Sequence, residues 1–125
     1  SAMIGYVTLG TNDLERAAKF YDELLGTIGA GRTMELSRGF AWGTSKTAPA
    51  LCVLKPFDEQ PASVGNGVMV ALYVDSRDKV DALHAKALAL GGTDEGAPGP
   101  RGTSGFYAGY FRDLDGNKLN AFTVG

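Results

Sequence analysis

The sequence runs twice through one order of elements. Displaced against itself by 63 residues, it sets Val7 on Val70, Leu9 on Leu72, Phe20 on Leu83 and Leu25 on Leu88. In each half a short apolar strand leads into an amphipathic helix, and strand-like runs follow. A period of about 60 residues is longer than a solenoid repeat, so it predicts two halves of one domain and not an array. The chain's 125 residues also suit a single domain. That domain is expected over residues 3–124, with module one at about 3–57 and module two at about 66–124. Ser1-Ala2 before Met3 reads as a tag-cleavage remnant and is left out of the fold reading.

The first half opens with a strand, Ile4-Gly5-Tyr6-Val7-Thr8-Leu9. Asn12 can cap the helix that follows, with Glu15 reaching back as a capping box. Leu14, Ala17, Ala18, Tyr21, Leu24, Leu25 and Ile28 recur at helical spacing and form one apolar stripe. Gly26 and Gly29 end it. Three strands are expected over residues 33–37, 39–44 and 50–54, the last bounded by Pro49 and Pro56.

The second half begins with a strand over residues 67–74. Asp75-Ser76-Arg77-Asp78 offers an N-cap, Val80, Leu83, Ala87 and Leu90 supply a stripe, and Gly91-Gly92 stops the helix. Two strands over residues 106–112 and 118–124 flank a tight turn at 113–117. Residues 91–105 hold six glycines and two prolines, which reads as a loop: either a lid over a cleft or a surface connector.

The resulting fold class is α+β, with two βαβββ modules whose sheets line an open cleft. A sheet with a helix on one face needs a partner for the other, and the second module's sheet is the natural one. Strand alternation puts Val7 and Leu9 under the first helix and leaves Ile4, Tyr6 and Thr8 in the cleft. It likewise puts Val68, Val70 and Leu72 under the second helix and Met69, Ala71 and Tyr73 in the cleft. Cys52 and Leu54 correspond to Asn120 and Phe122 on the closing strands. A mixed apolar and polar wall suits a small organic molecule.

Composition removes other classes. Twelve Lys+Arg against 14 Asp+Glu give a net charge of −2, with a pI near 5.3 and no basic run, which argues against nucleic acid. No apolar stretch approaches the ~20 residues that span a bilayer, so no membrane is expected. One cysteine and one histidine can form neither an intrachain disulfide nor a Cys/His zinc cluster. The simplest compartment is the reducing cytoplasm.

Candidate site residues follow from residue chemistry. Tyr6, Trp42, Tyr73, Tyr107 and Phe122 could stack on an organic ligand. Tyr6 or Tyr107 could give a proton to a ligand oxygen, and Glu35 could serve as a general base if it points inward. Arg101, in the Gly/Pro segment, could clamp a carboxylate or phosphate. His84 is expected at the solvent edge of its helix, and Cys52 as a small buried hydrophobe.

Two segments carry a resemblance. Val7-Thr8-Leu9-Gly10-Thr11-Asn12-Asp13-Leu14-Glu15-Arg16-Ala17 with Phe20-Tyr21, and Arg112-Asp113-Leu114-Asp115-Gly116-Asn117-Lys118-Leu119, resemble the opening and closing motifs of the glyoxalase/bleomycin-resistance/extradiol-dioxygenase (vicinal oxygen chelate) superfamily. The resemblance covers residues 3–124 and implies paired βαβββ modules. It implies four metal-ligand positions in the cleft, one on the first and one on the last strand of each module. These fall on Tyr6, Cys52, Met69 and Asn120, where the superfamily's metal users carry His, Glu or Gln. A phenol with pKa about 10, a thiol, a thioether and a carboxamide suit no common divalent ion. No metal cofactor is therefore expected. The cleft is expected to contain Tyr6, Trp42, Cys52, Met69, Arg101, Tyr107, Asn120 and Phe122.

The reading this supports is a cytoplasmic small-molecule-binding protein without a catalytic metal. The alternatives are a divalent-metal-dependent lyase, isomerase or dioxygenase, and a non-catalytic dimeric structural module. The resemblance also implies a homodimer.

Overall fold

The computed structural model describes residues 3–125, so Ser1 and Ala2, the expected tag remnant, lie outside the described residues. The chain forms two compact units that divide between Val64 and Gly65.

The first unit runs β1 (Tyr6–Gly10), α1 (Leu14–Gly26), β2 (Gly31–Leu36), β3 (Gly39–Gly43) and β4 (Ala50–Leu54). Its sheet has the order β1-β4-β3-β2, with β1 parallel to β4 and the other pairs antiparallel. Asp13, not Asn12, caps α1: its carboxylate accepts from the Arg16 N–H at 3.1 Å. Asn12 instead holds the segment beyond β4, donating to the Ala62 carbonyl and accepting from the Ala62 N–H. Of the stripe predicted from spacing, Leu14 and Ile28 are half-buried at its ends, whereas Ala17, Ala18, Tyr21, Leu24 and Leu25 are buried against the sheet, joined by Phe20. They pack over Leu9, Trp42, Leu51 and Val53, all buried. Burying such side chains contributes about 1.5–3 kcal/mol each and is the main support of the unit.

The second unit repeats the order: β5 (Val70–Tyr73), α2 (Arg77–Ala89), β6 (Thr93–Pro100), β7 (Phe106–Arg112) and β8 (Lys118–Val124). The strand order β5-β8-β7-β6 matches that of the first sheet, again with one parallel pair. Leu14–Gly26 and Arg77–Ala89 differ by the same 63-residue offset read from the sequence. Ser76 caps α2 by accepting from the Lys79 N–H. Gly91 ends it at φ +101°, a conformation only glycine adopts without strain, while the Gly92 N–H donates to the Ala87 carbonyl. Val80, Leu83 and Ala87 pack with Phe111, Leu119 and Ala121, all fully buried.

Two expectations are corrected here. Residues 93–100 form a strand and not a lid, because β6 pairs antiparallel with β7 along an edge of the sheet. Register shifts between Asp94 and Gly96 and between Gly96 and Gly99 absorb the irregular backbone, and the edge position tolerates Pro98 and Pro100. Val68 lies ahead of β5 and is 59% exposed, not tucked under α2.

Candidate functional site

In the first unit α1 covers one face of the sheet, and the register fixes which residues occupy the other. Tyr6 pairs with Ala50, Thr8 with Cys52, Cys52 with Ala41, and Ala41 with Met34. Residues paired across neighbouring strands share a face. Tyr6, Thr8, Met34, Ala41 and Cys52 therefore stand together on the side away from α1. They line a concavity of about 400 Å³ that also includes Leu36, Leu54 and Lys46. That size lies in the range of small-molecule pockets. Its wall is apolar except for the Tyr6 and Thr8 hydroxyls, the Cys52 thiol, Thr33 and the Lys46 ammonium, and no carboxylate among the described residues lines it. Tyr6 is 69% exposed at the rim, whereas Cys52 is buried in the floor and burial pushes its thiol pKa up. Cys52 is therefore a protonated, weakly nucleophilic wall group at neutral pH. A larger groove of about 770 Å³ runs along α1, but Asp22 and Arg32 in its wall are already spent on each other.

The second sheet repeats this division. Ala71 pairs with Asn120, Tyr73 with Phe122, Tyr110 with Asn120 and Phe106 with Val124, all on the face away from α2. Phe122 stacks on Phe106 at 5.4 Å and meets Tyr73 edge-on at 5.6 Å. Asn120 is only 1% exposed, and its Oδ1 accepts no hydrogen bond among the described residues. Met69 stands just ahead of β5, 40% exposed.

The registers make two of the four ligand positions equivalent. Cys52 stands beside Thr8 on β1, and Asn120 stands beside Ala71, which is Thr8 displaced by the repeat offset. The donors at the four positions are then an exposed phenol, a buried thiol held protonated, a thioether and a neutral carboxamide. That set does not fit a divalent cation, since each neutral group would have to replace water without supplying charge. No cluster of three or more His, Cys, Asp or Glu side chains occurs among the described residues.

Several residues expected in the cleft stand elsewhere. Trp42 faces α1, 1% exposed, and its indole N–H donates to Asp22 at 2.9 Å. Its register partner Leu51 is a core residue, so the alternation runs opposite to the one expected. Glu35 pairs with Phe40 on that same side and is exposed, which removes it as a base for the concavity. Tyr107 faces α2, donates to Asp81 at 2.7 Å and lies under the Arg77 guanidinium at 4.8 Å. That bond to Asp81 raises the Tyr107 pKa, so it is a poor proton donor to a ligand. Arg101 folds onto its own strand, donating to the carbonyls of Ala97 and Gly99 and covering the Tyr110 ring. Its guanidinium is thereby engaged and not presented to an anion. His84 is buried, not at a solvent edge, with Nε2 3.0 Å from Asp94 and 3.1 Å from the Tyr110 carbonyl. Met34, Leu36 and Lys46 escaped the sequence reading as wall residues. The alternation of Met34 and Leu36 on β2 was the available signal, whereas nothing local marks Lys46.

Comparison with known proteins agrees with this architecture. The family model described as Glyoxalase/Bleomycin resistance protein/Dioxygenase superfamily matches residues 3–121. The crystal structure of a glyoxalase/bleomycin resistance protein from Albidiferax ferrireducens T118 is 40% identical, with a TM-score of 0.87 over 97% of this chain and 98% of that one. The fosfomycin resistance protein FosX from Listeria monocytogenes is 19% identical, with a TM-score of 0.71 over 98% and 93% of the two chains. Lactoylglutathione lyase from Agrobacterium tumefaciens is 23% identical, with a TM-score of 0.68 over 98% and 92%. The last two are likenesses of fold alone. No curated protein matches the sequence. A family model that spans nearly all of a chain built from two βαβββ units leads to one conclusion: the chain belongs to the glyoxalase/bleomycin resistance protein/dioxygenase superfamily.

Proposed function

We propose that this protein binds a small organic molecule on the uncovered face of its first sheet and does so without a catalytic metal. The observation that carries the reading is the concavity of about 400 Å³ between Tyr6, Met34 and Cys52. Its apolar wall favours an apolar ligand body, and the hydroxyls of Tyr6 and Thr8 supply the few polar contacts that orient one. The neutral donor set at Tyr6, Cys52, Met69 and Asn120 supports the metal-free part of the proposal. A homodimer belongs to the same proposal, because Ile4, Phe57, Val68 and Val124, outside the concavity, leave large apolar side chains exposed. A cytoplasmic setting rests on the single buried, free Cys52. No helix among the described residues is long and apolar enough to cross a membrane.

The test is a thermal-shift screen of aromatic drugs and thiol conjugates, run with and without chelator, on wild type and on Ala50→Phe. Ala50 lines the concavity beside Tyr6, so a phenyl ring there fills it. Stabilisation that is insensitive to chelator and absent in Ala50→Phe is the expected result. Near-stoichiometric Ni, Zn, Fe or Mn in purified protein, lost together with ligand binding on chelation, would overturn it.

A further inference from the structure

The first-sheet concavity is polar at one end and apolar at the other. Tyr6 and Ala50 open the parallel pair of β1 and β4, and Gly31 and Gly43 stand in register at the same end of β2 and β3. Thr33 follows close by, at the register shift between Arg32 and Met34. The segment 44–49, which joins β3 to β4, lies at that end and contributes Lys46 and Ala48 to the wall. At the far end of the strands Leu54 pairs with Gly39 and Gly39 with Leu36, so the wall there is formed by two leucines. At about 3.3 Å per residue, the polar and apolar ends stand roughly 13 Å apart. Among the described residues Lys46 is the one charged side chain in the wall, and it forms no ion pair. Its root is held: Ser45 Oγ accepts from the Ala48 N–H at 3.1 Å and lies 3.3 Å from Thr47 Oγ1, which turns the chain at Lys46. An unpaired ammonium at the rim of an apolar hollow attracts an anion and offers a cationic ligand only repulsion.

We infer that the concavity selects an organic carboxylate, whose charged group pairs with Lys46 and accepts from the Tyr6 hydroxyl while its apolar body lies along Met34 toward Leu36 and Leu54. The inference rests on the proposed use of this concavity and adds the class of ligand and the direction in which it lies. Lysine acts as a point charge, so one carboxylate suffices and no bidentate clamp is needed. The two leucines at the far end give the apolar body surface to cover, which a small hydrophilic acid would leave wet.

The test titrates the full chain with 2-naphthoate and with 2-naphthamide, which share one ring system and differ in charge, following amide and methyl shifts by NMR at neutral pH. Naphthoate is expected to bind about fivefold more tightly, the scale of one solvent-exposed ion pair, and the ratio should shrink at high salt. Its ring protons should show NOEs to the Leu36 and Leu54 methyl groups. Lys46 is exposed, so Lys46→Met and Lys46→Arg should both fold. The first is expected to erase the preference and the second to keep it. Equal affinities in wild type overturn the inference, as does a preference that survives in Lys46→Met. Neither result touches the proposed function while Ala50→Phe still abolishes binding of both compounds. Absence of shifts with either compound also overturns the inference, and the thermal screen then decides separately whether the concavity binds another organic molecule.

Discussion

His84 Nε2 lies 3.0 Å from the Asp94 carboxylate and 3.1 Å from the Tyr110 carbonyl, so one buried ring fastens α2 to both β6 and β7. Both partners are acceptors, which places the proton on Nε2. Asp94 is itself held by the Gly96 N–H at 3.0 Å, and that bond, with His84 behind it, lowers its pKa. The strand so fastened is rich in glycine and proline and has little preference of its own for extended pairing. The side-chain anchor supplies part of what the local sequence lacks.

His84→Ala is expected to cost about 2–4 kcal/mol in urea unfolding, from the lost anchor and the space left beside Phe111. Amide exchange in β6 should accelerate more than that in β4. A loss below about 0.5 kcal/mol would mean the ring is not an anchor.

Gly109 lies directly beneath this histidine. A Cβ there would stand 3.1 Å from His84 Cδ2 and 3.0 Å from Pro98 Cγ. Gly109→Val should therefore overpack the α2–β7 contact and lower stability by about 1–3 kcal/mol, read from the denaturation midpoint.

In the first unit Asp22 accepts from Arg32 Nε and Nη2 and from the Trp42 indole. The Arg32 hydrogen bonds, opposed by burial and helped by the indole, hold its pKa below the ordinary 3.8. A depressed folded-state value contributes stability above the unfolded pKa that is lost as pH falls through the folded one. Wild type should thus lose melting temperature below about pH 4, and Asp22→Asn should lose less over that interval. Both side chains are 42% exposed, so the ion pair itself is worth no more than about 1 kcal/mol at pH 7. Asp22→Ala should cost more, about 1–3 kcal/mol, because it orphans the buried indole N–H. Equal losses for Asn and Ala would refute that division.

Cys52 offers a probe of the concavity. Its buried, protonated thiol should react with Ellman's reagent roughly tenfold or more slowly in the native protein than in urea. A ligand seated against Tyr6 and Met34 should slow it further. Fast native labelling that no ligand alters would count against the floor position.

Much of this architecture was legible before any coordinates. The stripe from Ala17 to Leu25 needs only a 3.6-residue period, and the offset between the helices needs only a repeat. The position of β6 was not legible, since Gly96, Pro98, Gly99 and Pro100 describe a loop by every local rule. Pairing with β7 and the His84 anchor overrode those preferences.

The sequence by itself determined the repeat and every element but β6, because periodicity is a local property, and residue identity settled the chemistry at the four positions that the resemblance implies. The tertiary structure alone decided which way Trp42, Glu35 and Tyr107 point. Alternation has a period but no phase where both faces of a strand carry aromatic and apolar residues. Phase comes from hydrogen-bond register with neighbouring strands, and from partners such as Asp22 on α1 and Asp81 on α2, each 20 or more residues away in sequence. The same register put an unpartnered Asn120 oxygen beside an exposed Ala71, a pairing that no run of adjacent residues encodes.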